Sequence, residues 1–165
     1  MAKEYSNVEA FIRKYGEEVA NEMRTRLSNA GKVASGRLYR SIKFNIRQSV
    51  KELEASWRMA DYGEFVDKGV EGAVSHKAGD GGKSEYKFGK GSKSKQKEKS
   101  LKSWMKLKGI PKEKYYPISR NIWMFGITPT NFFTIPTRRR QKQFEAGLEK
   151  AMVKDLDIMI EKQIK

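Results

Sequence analysis

The sequence contains no cysteine. Disulfides, zinc–thiolate sites, iron–sulfur clusters and cysteine nucleophiles are therefore excluded. A cysteine-free chain suits a reducing compartment. There is one histidine, His76, so a histidine-rich metal site within one chain is not expected. Proline is scarce, with four residues. No stretch approaches the roughly 20 apolar residues of a membrane span, and the opening MAKEYSNVEAF has no apolar run of signal-peptide length. A soluble chain made in the cytoplasm, with no membrane partner, is the expectation. Acidic residues are also in deficit, 20 Asp+Glu against 35 Lys+Arg, for a formal charge of +15. That excess by itself points to an anionic partner, whether nucleic acid, a membrane surface or an acidic protein face. The 165 residues fit one ordinary domain, and a 38% hydrophobic fraction with 11% aromatics is too apolar for wholesale disorder.

The periodicity then separates the elements. Val8, Phe11, Ile12, Tyr15, Val19, Met23 and Leu27 recur at helical spacing, with Ser6 or Asn7 as the expected cap and Gly31 as the stop. After Gly36 the period changes. Ile42, Phe44 and Ile46, then Leu53, Ala55, Trp57 and Met59, alternate with polar residues, which predicts an antiparallel hairpin with one apolar face. Asp61 to Gly72 predicts a turn or a single-turn helix. Leu101 to Lys108 and Pro117 to Phe125 predict short helices ended by Gly109 and Gly126. Asn131 to Pro136 predicts a third, edge strand. Phe144, Leu148, Met152, Leu156, Ile160 and Ile164 predict a long last helix. A strict four-residue step drifts about 40° per repeat, so this stripe winds round the helix and can serve the core at one end and a neighbour at the other. The fold class is α+β: an antiparallel sheet of a hairpin plus a further strand, packed by an N-terminal helix and a long C-terminal helix, in a single domain.

Residues 75–100 differ in kind. Gly, Ser and Lys dominate, and the large apolar groups are Tyr86 and Phe88 alone. Such a stretch buries too little surface to offset its ordering entropy, so a mobile insertion is expected. Lys77, Lys83, Lys87, Lys90, Lys93, Lys95, Lys97 and Lys99 face three acids there, so one third of the net charge sits in it. Arg138, Arg139 and Arg140 form a second basic cluster before the last helix. They are expected either as a solvated linker or as a phosphate or acidic-partner contact, because cations at a helix N-terminus oppose its dipole. These lysines and arginines are the candidate DNA- or partner-facing residues.

No catalytic constellation assembles. His76 lies beside the expected mobile loop, and a general base needs a fixed partner. Neither phosphate-loop pattern is present among the glycines. Asp61, Glu64 and Asp67 have no second cluster to complete a metal site, and Asp155 and Asp157 are expected to be solvated. A non-enzymatic chain without cofactor or metal is the expectation. A nuclease would need a metal or a base that these residues do not supply.

The order of the motifs resembles that of the tail-completion, or head–tail joining, proteins of tailed bacteriophages. The residues that carry the resemblance are Ser35-Gly36-Arg37-Leu38-Tyr39-Arg40-Ser41-Ile42, then the hairpin, then Phe65-Val66-Asp67-Lys68-Gly69. After the insertion come Trp104-Met105-Lys106-Leu107-Lys108-Gly109-Ile110, the helix from Ile118 to Gly126, Phe132-Phe133-Thr134-Ile135-Pro136 and the long last helix. The long basic insertion and the arginine run depart from the family pattern. The resemblance implies a virion structural protein, assembled in the host cytoplasm into a ring, commonly sixfold, in the neck around the DNA channel. Its implied partners are its own copies, the neighbouring neck, connector and tail-tube proteins, and DNA in the channel. Tyr86, Phe88, Phe132, Phe133, Ile160 and Ile164 are the candidate ring or neighbour contacts. The alternative is a non-enzymatic nucleic-acid-binding protein using the basic loop.

Overall fold

A computed structural model describes residues 5–33, 35–49, 52–79, 81–89 and 95–164. Helix α1 spans Ser6–Asn29. A short helix α2, Arg37–Ser41, leads into the hairpin of β1, Lys43–Gln48, and β2, Leu53–Arg58. Helix α3 is Gly63–Lys68 and strand β3 is Val70–Glu71. Helix α4, Lys95–Leu107, and helix α5, Tyr115–Phe125, flank a single 3-10 turn. Strand β4 is Gly126–Ile127, and helix α6 runs from Thr134 to Ile164. The class is α+β, with the two long helices and two small antiparallel ladders, β1–β2 and β3–β4.

The expected antiparallel hairpin is present. Phe44 pairs with Trp57 and Ile46 with Ala55. Its apolar face lies on α1. Packing there is close because α1 carries a glycine at the contact. A Cβ at Gly16 would lie 2.2 Å from the Phe44 ring, and the Trp57 indole N–H donates to the Gly16 carbonyl at 3.1 Å. Two apolar clusters run along α1. One joins Val19, Ala20, Met23 and Leu27 to Leu38, Ile42 and Phe132. The other joins Val8 and Ile12 to Ala151, with Phe11, Phe44, Phe144 and Leu148 around them. The Phe144 ring lies near Tyr15 at 4.9 Å and Phe11 at 5.9 Å, and with Asp155 at Val8 and Arg140 at Glu22 the helices α1 and α6 run antiparallel.

Asn131–Pro136 is not an edge strand. Asn131 takes a positive φ of 50°, and α6 begins at Thr134. Asp67 decides this. Its carboxylate accepts the Phe133 N–H at 2.7 Å, the Thr134 N–H at 3.3 Å and the Thr134 hydroxyl. Those are the orphan donors of a helix start, and Pro136 in the first turn has no N–H to lose. The second ladder comes instead from Val70 paired with Ile127 and Glu71 with Gly126. Phe132 is fully buried in the core, and Phe133 is half-buried with its ring edge on Trp57. The Phe132 side chain is therefore spent in the core, while Phe133 keeps part of its surface exposed.

The Gly16 contact is testable. Gly16→Ala should lower stability by about 1–3 kcal/mol, because the added methyl drives the Phe44 ring off its seat. Thermal unfolding of that variant in a Phe44→Leu background should show a smaller loss. Equal losses in both backgrounds would mean that the ring contact does not set the cost.

Candidate functional site

Each polar cluster can be followed to its partners. Asp155 is buried on α6, not solvated as expected. Its carboxylate accepts the backbone N–H of Asn7 at 3.0 Å and of Val8 at 2.9 Å, and the Asn7 side-chain amide at 2.7 Å. It therefore caps α1 in place of Ser6 or Asn7, neither of which serves as the cap. Burial disfavours the charged form of Asp155, but the converging donors outweigh it and hold the carboxyl below its ordinary range. Exposed Asp157 lies two residues on.

The arginine run lies inside α6, in its second turn, beyond the reach of most of the dipole penalty. It is no extended linker. Arg140 donates through Nε to Glu22 at 2.9 Å and through a terminal nitrogen to Glu18 at 3.0 Å. Arg139 reaches Glu22 at 2.8 Å, and Arg26 reaches it at 3.4 Å. Glu22 is thus shared by three guanidinium groups. Its partial burial raises the carboxyl, and the arginines more than reverse that, so its pKa is lowered. Desolvation raises the nearby Tyr15 hydroxyl. An open cleft of ≈ 630 Å³ lies over this cluster, lined by Glu18, Glu22, Arg26, Thr130, Arg139 and Arg140 among others. Its charges are spent on one another. Arg138 points to solvent and forms no ion pair among the described residues.

The lysine-rich stretch divides into parts. Residues 84–88 lie back on β3. Glu71 accepts the Ser84 N–H at 3.0 Å and the Lys87 ammonium at 3.3 Å through its carboxylate. Its backbone exchanges hydrogen bonds with Tyr86 and Phe88. The Ser84 bond is the first reason that the Glu71 carboxyl is lowered. The Tyr86 hydroxyl donates to Glu64 at 2.6 Å, which raises its pKa, and the ring meets Phe65 edge-on at 4.5 Å. Tyr86 is therefore held by α3. Phe88 is half-buried. Lys77 and Lys83 are exposed, as is Lys99 on α4. Lys90 and Lys93 lie outside the described residues. Lys95 and Lys97 open α4, with side chains outside the description. Charge expected on a loop thus sits partly on a basic helix. The exposed lysines Lys99, Lys102 and Lys106 share it with exposed Trp104 and Leu107.

His76 is exposed and has a positive φ of 51°. Among the described residues no group of three or more Asp, Glu and His could hold a metal. No described helix is long and apolar enough to cross a membrane. On α6 the stripe turns outward as expected. Phe144 and Leu148 pack inside, whereas Ile160 is 54% and Ile164 81% exposed. Residues missed in the sequence are Glu18 and Glu22, one turn apart on α1, and the capping pair Asp67 and Asp155. A carboxylate spaced one turn from another carboxylate was the available signal for the first pair. Nothing local marks the second. Comparison with known families, with curated proteins and with solved structures found no match.

The lowered carboxyls set a pH dependence. A carboxyl depressed on folding adds stability above its unfolded pKa and loses it as pH falls through the folded value. Wild-type stability should therefore drop from about pH 5 to about pH 3. Asp155→Asn should cost about 1–2 kcal/mol at neutral pH. It should also make that acid fall shallower. Denaturant unfolding across the pH range checks this, and parallel curves for the two proteins would refute the assignment.

Proposed function

We propose that the chain is a virion structural protein of a tailed phage, forming a ring in the neck that completes the tail or joins it to the head around the DNA channel. The observation that carries this reading is the placement of the motif series on consecutive elements. Ser35–Ile42 contains α2, Phe65–Gly69 closes α3, Trp104–Ile110 closes α4 and Ile118–Gly126 ends α5, whereas Phe132–Pro136, a strand in the resemblance, opens α6. A second support is how the polar side chains are used. Asp67, Asp155 and the Glu22 cluster hold helices together, a structural use of the groups that a catalyst would keep available. The free surfaces suit assembly: the outer stripe of α6, and the separately exposed apolar side chains of Leu107 on α4 and of Tyr116 and Phe125 on α5, at 50–70% exposure. On this reading the ring is non-enzymatic and needs no cofactor. Its partners are its own copies and the adjoining neck, connector and tail-tube proteins.

Coexpression with the products of adjacent genes, followed by electron microscopy, tests the proposal. The expected result is a closed ring with one such partner. A chain that binds none of them and forms no ring would overturn it.

The basic helix α4 favours a second reading, direct contact with nucleic acid. Lys99, Lys102 and Lys106 are exposed there within two turns. Lysines of this kind give salt-dependent, sequence-independent attraction to phosphate. Replacing Lys99 and Lys106 by Gln should weaken DNA binding and flatten its dependence on salt by about one unit of slope per lysine. Fluorescence anisotropy across a salt series reads both. An unchanged slope would remove α4 from the contact.

A further inference from the structure

The outer face of α6 is left uncovered by the described residues. Met152, Val153, Leu156 and Ile160 are each about half exposed, and Ile164 more so. At 100° per residue Val153, Leu156, Ile160 and Ile164 lie about 100° or more round the helix from Ala151 and Asp155, which face α1, with Met152 at the edge of the stripe. The face upstream is open too, since Ala146 and Glu149 are exposed. Beside the stripe run Lys150, Lys154, Asp157 and Glu161, all exposed and in no ion pair among the described residues. These four fall within an arc of about 60° on one flank.

The order of the charges carries information. Reversing residues 149–162 about the point between Asp155 and Leu156 sets Glu149 against Lys162, Lys150 against Glu161 and Lys154 against Asp157. The four charges on one flank, Lys150, Lys154, Asp157 and Glu161, each meet an opposite; Glu149 and Lys162 lie about 140° apart round the helix and stay out of that match, and Asp155 is already occupied by the α1 N-terminus. An antiparallel helix pair performs this reversal. Because a two-fold axis brings one flank against the same flank of its copy, Lys150 and Lys154 of each chain face Glu161 and Asp157 of the other. The segment also carries three lysines against four acids, in a chain of +15. Nucleic acid finds no attraction there. With α1 on the other side of α6, the two bodies project away from each other.

We propose that the occupant of this face is a second copy of the chain, its α6 packed antiparallel on the first, with the two-fold axis between Asp155 and Leu156. The pairing does not rest on the neck reading. A ring would need further, head-to-tail contacts elsewhere on the surface.

Sedimentation velocity of the full chain tests it through charge exchange. The wild type should be a dimer. Lys150→Glu with Lys154→Glu sets like charges at four contacts, and Asp157→Lys with Glu161→Lys does the same. Each double variant alone should self-associate about a hundredfold more weakly or worse. An equimolar mixture of the two should regain the dimer, because all four contacts then pair opposite charges. The four side chains form no ion pair among the described residues, so circular dichroism should be unchanged. The proposal fails if the wild type is monomeric at the highest concentration reached, if the variants keep the wild-type mass, or if the mixture does not recover. A ring whose mass ignores these substitutions refutes the pairing and leaves the neck reading standing. A charge-dependent dimer that never enters a ring does the reverse.

Discussion

Both long helices begin on a carboxylate supplied from elsewhere in the chain. Asp155 of α6 caps α1, and Asp67 of α3 caps α6. Each side chain is buried, and each accepts donors that would otherwise be orphaned at a helix start. A buried carboxylate is costly unless its lone pairs are filled, so these caps are tolerated only when the helices are docked. Helix formation and tertiary packing are thereby tied together. Neither long helix can slide along the other without stranding a charge.

The contact between α1 and α6 is built in three stretches. Asp155 closes one end, aromatic rings of Phe11, Tyr15 and Phe144 fill the middle, and the Glu18, Glu22, Arg139 and Arg140 cluster lies beyond. The apolar middle supplies most of the stabilisation, since the arginine pairs are partly open to solvent and are screened. The charged stretches contribute alignment. Past Asp155, no described helix lies beside α6 to cover the stripe, and one flank of its outer face carries charges complementary to themselves.

The +15 charge takes on a different meaning once it is placed. Arg139 and Arg140 are used inside the fold, and Lys87 and Lys68 meet Glu71 and Glu85. What remains outward is the basic α4 and scattered lysines such as Lys77 and Lys83. The net charge is therefore a poor guide to where a partner sits, because several of its cations are paired with acids of the same chain.

The sequence by itself determined the elements whose signal is local. The 3.6 period of Val8 to Leu27, the alternation of Phe44, Ile46, Ala55 and Trp57, and the glycine stops at Gly109 and Gly126 all report backbone geometry within a few residues. The outward drift of the α6 stripe was legible for the same reason: it follows from helix pitch alone. Only the tertiary structure decided what each acid and arginine does. Asp67 turns an apolar, strand-like run into a helix start from 66 residues away, and Asp155 reaches an N-terminus 147 residues away. No window along the chain contains both partners of such a bond. Propensity describes what a segment prefers alone, and a buried carboxylate arriving from another element is strong enough to overrule it.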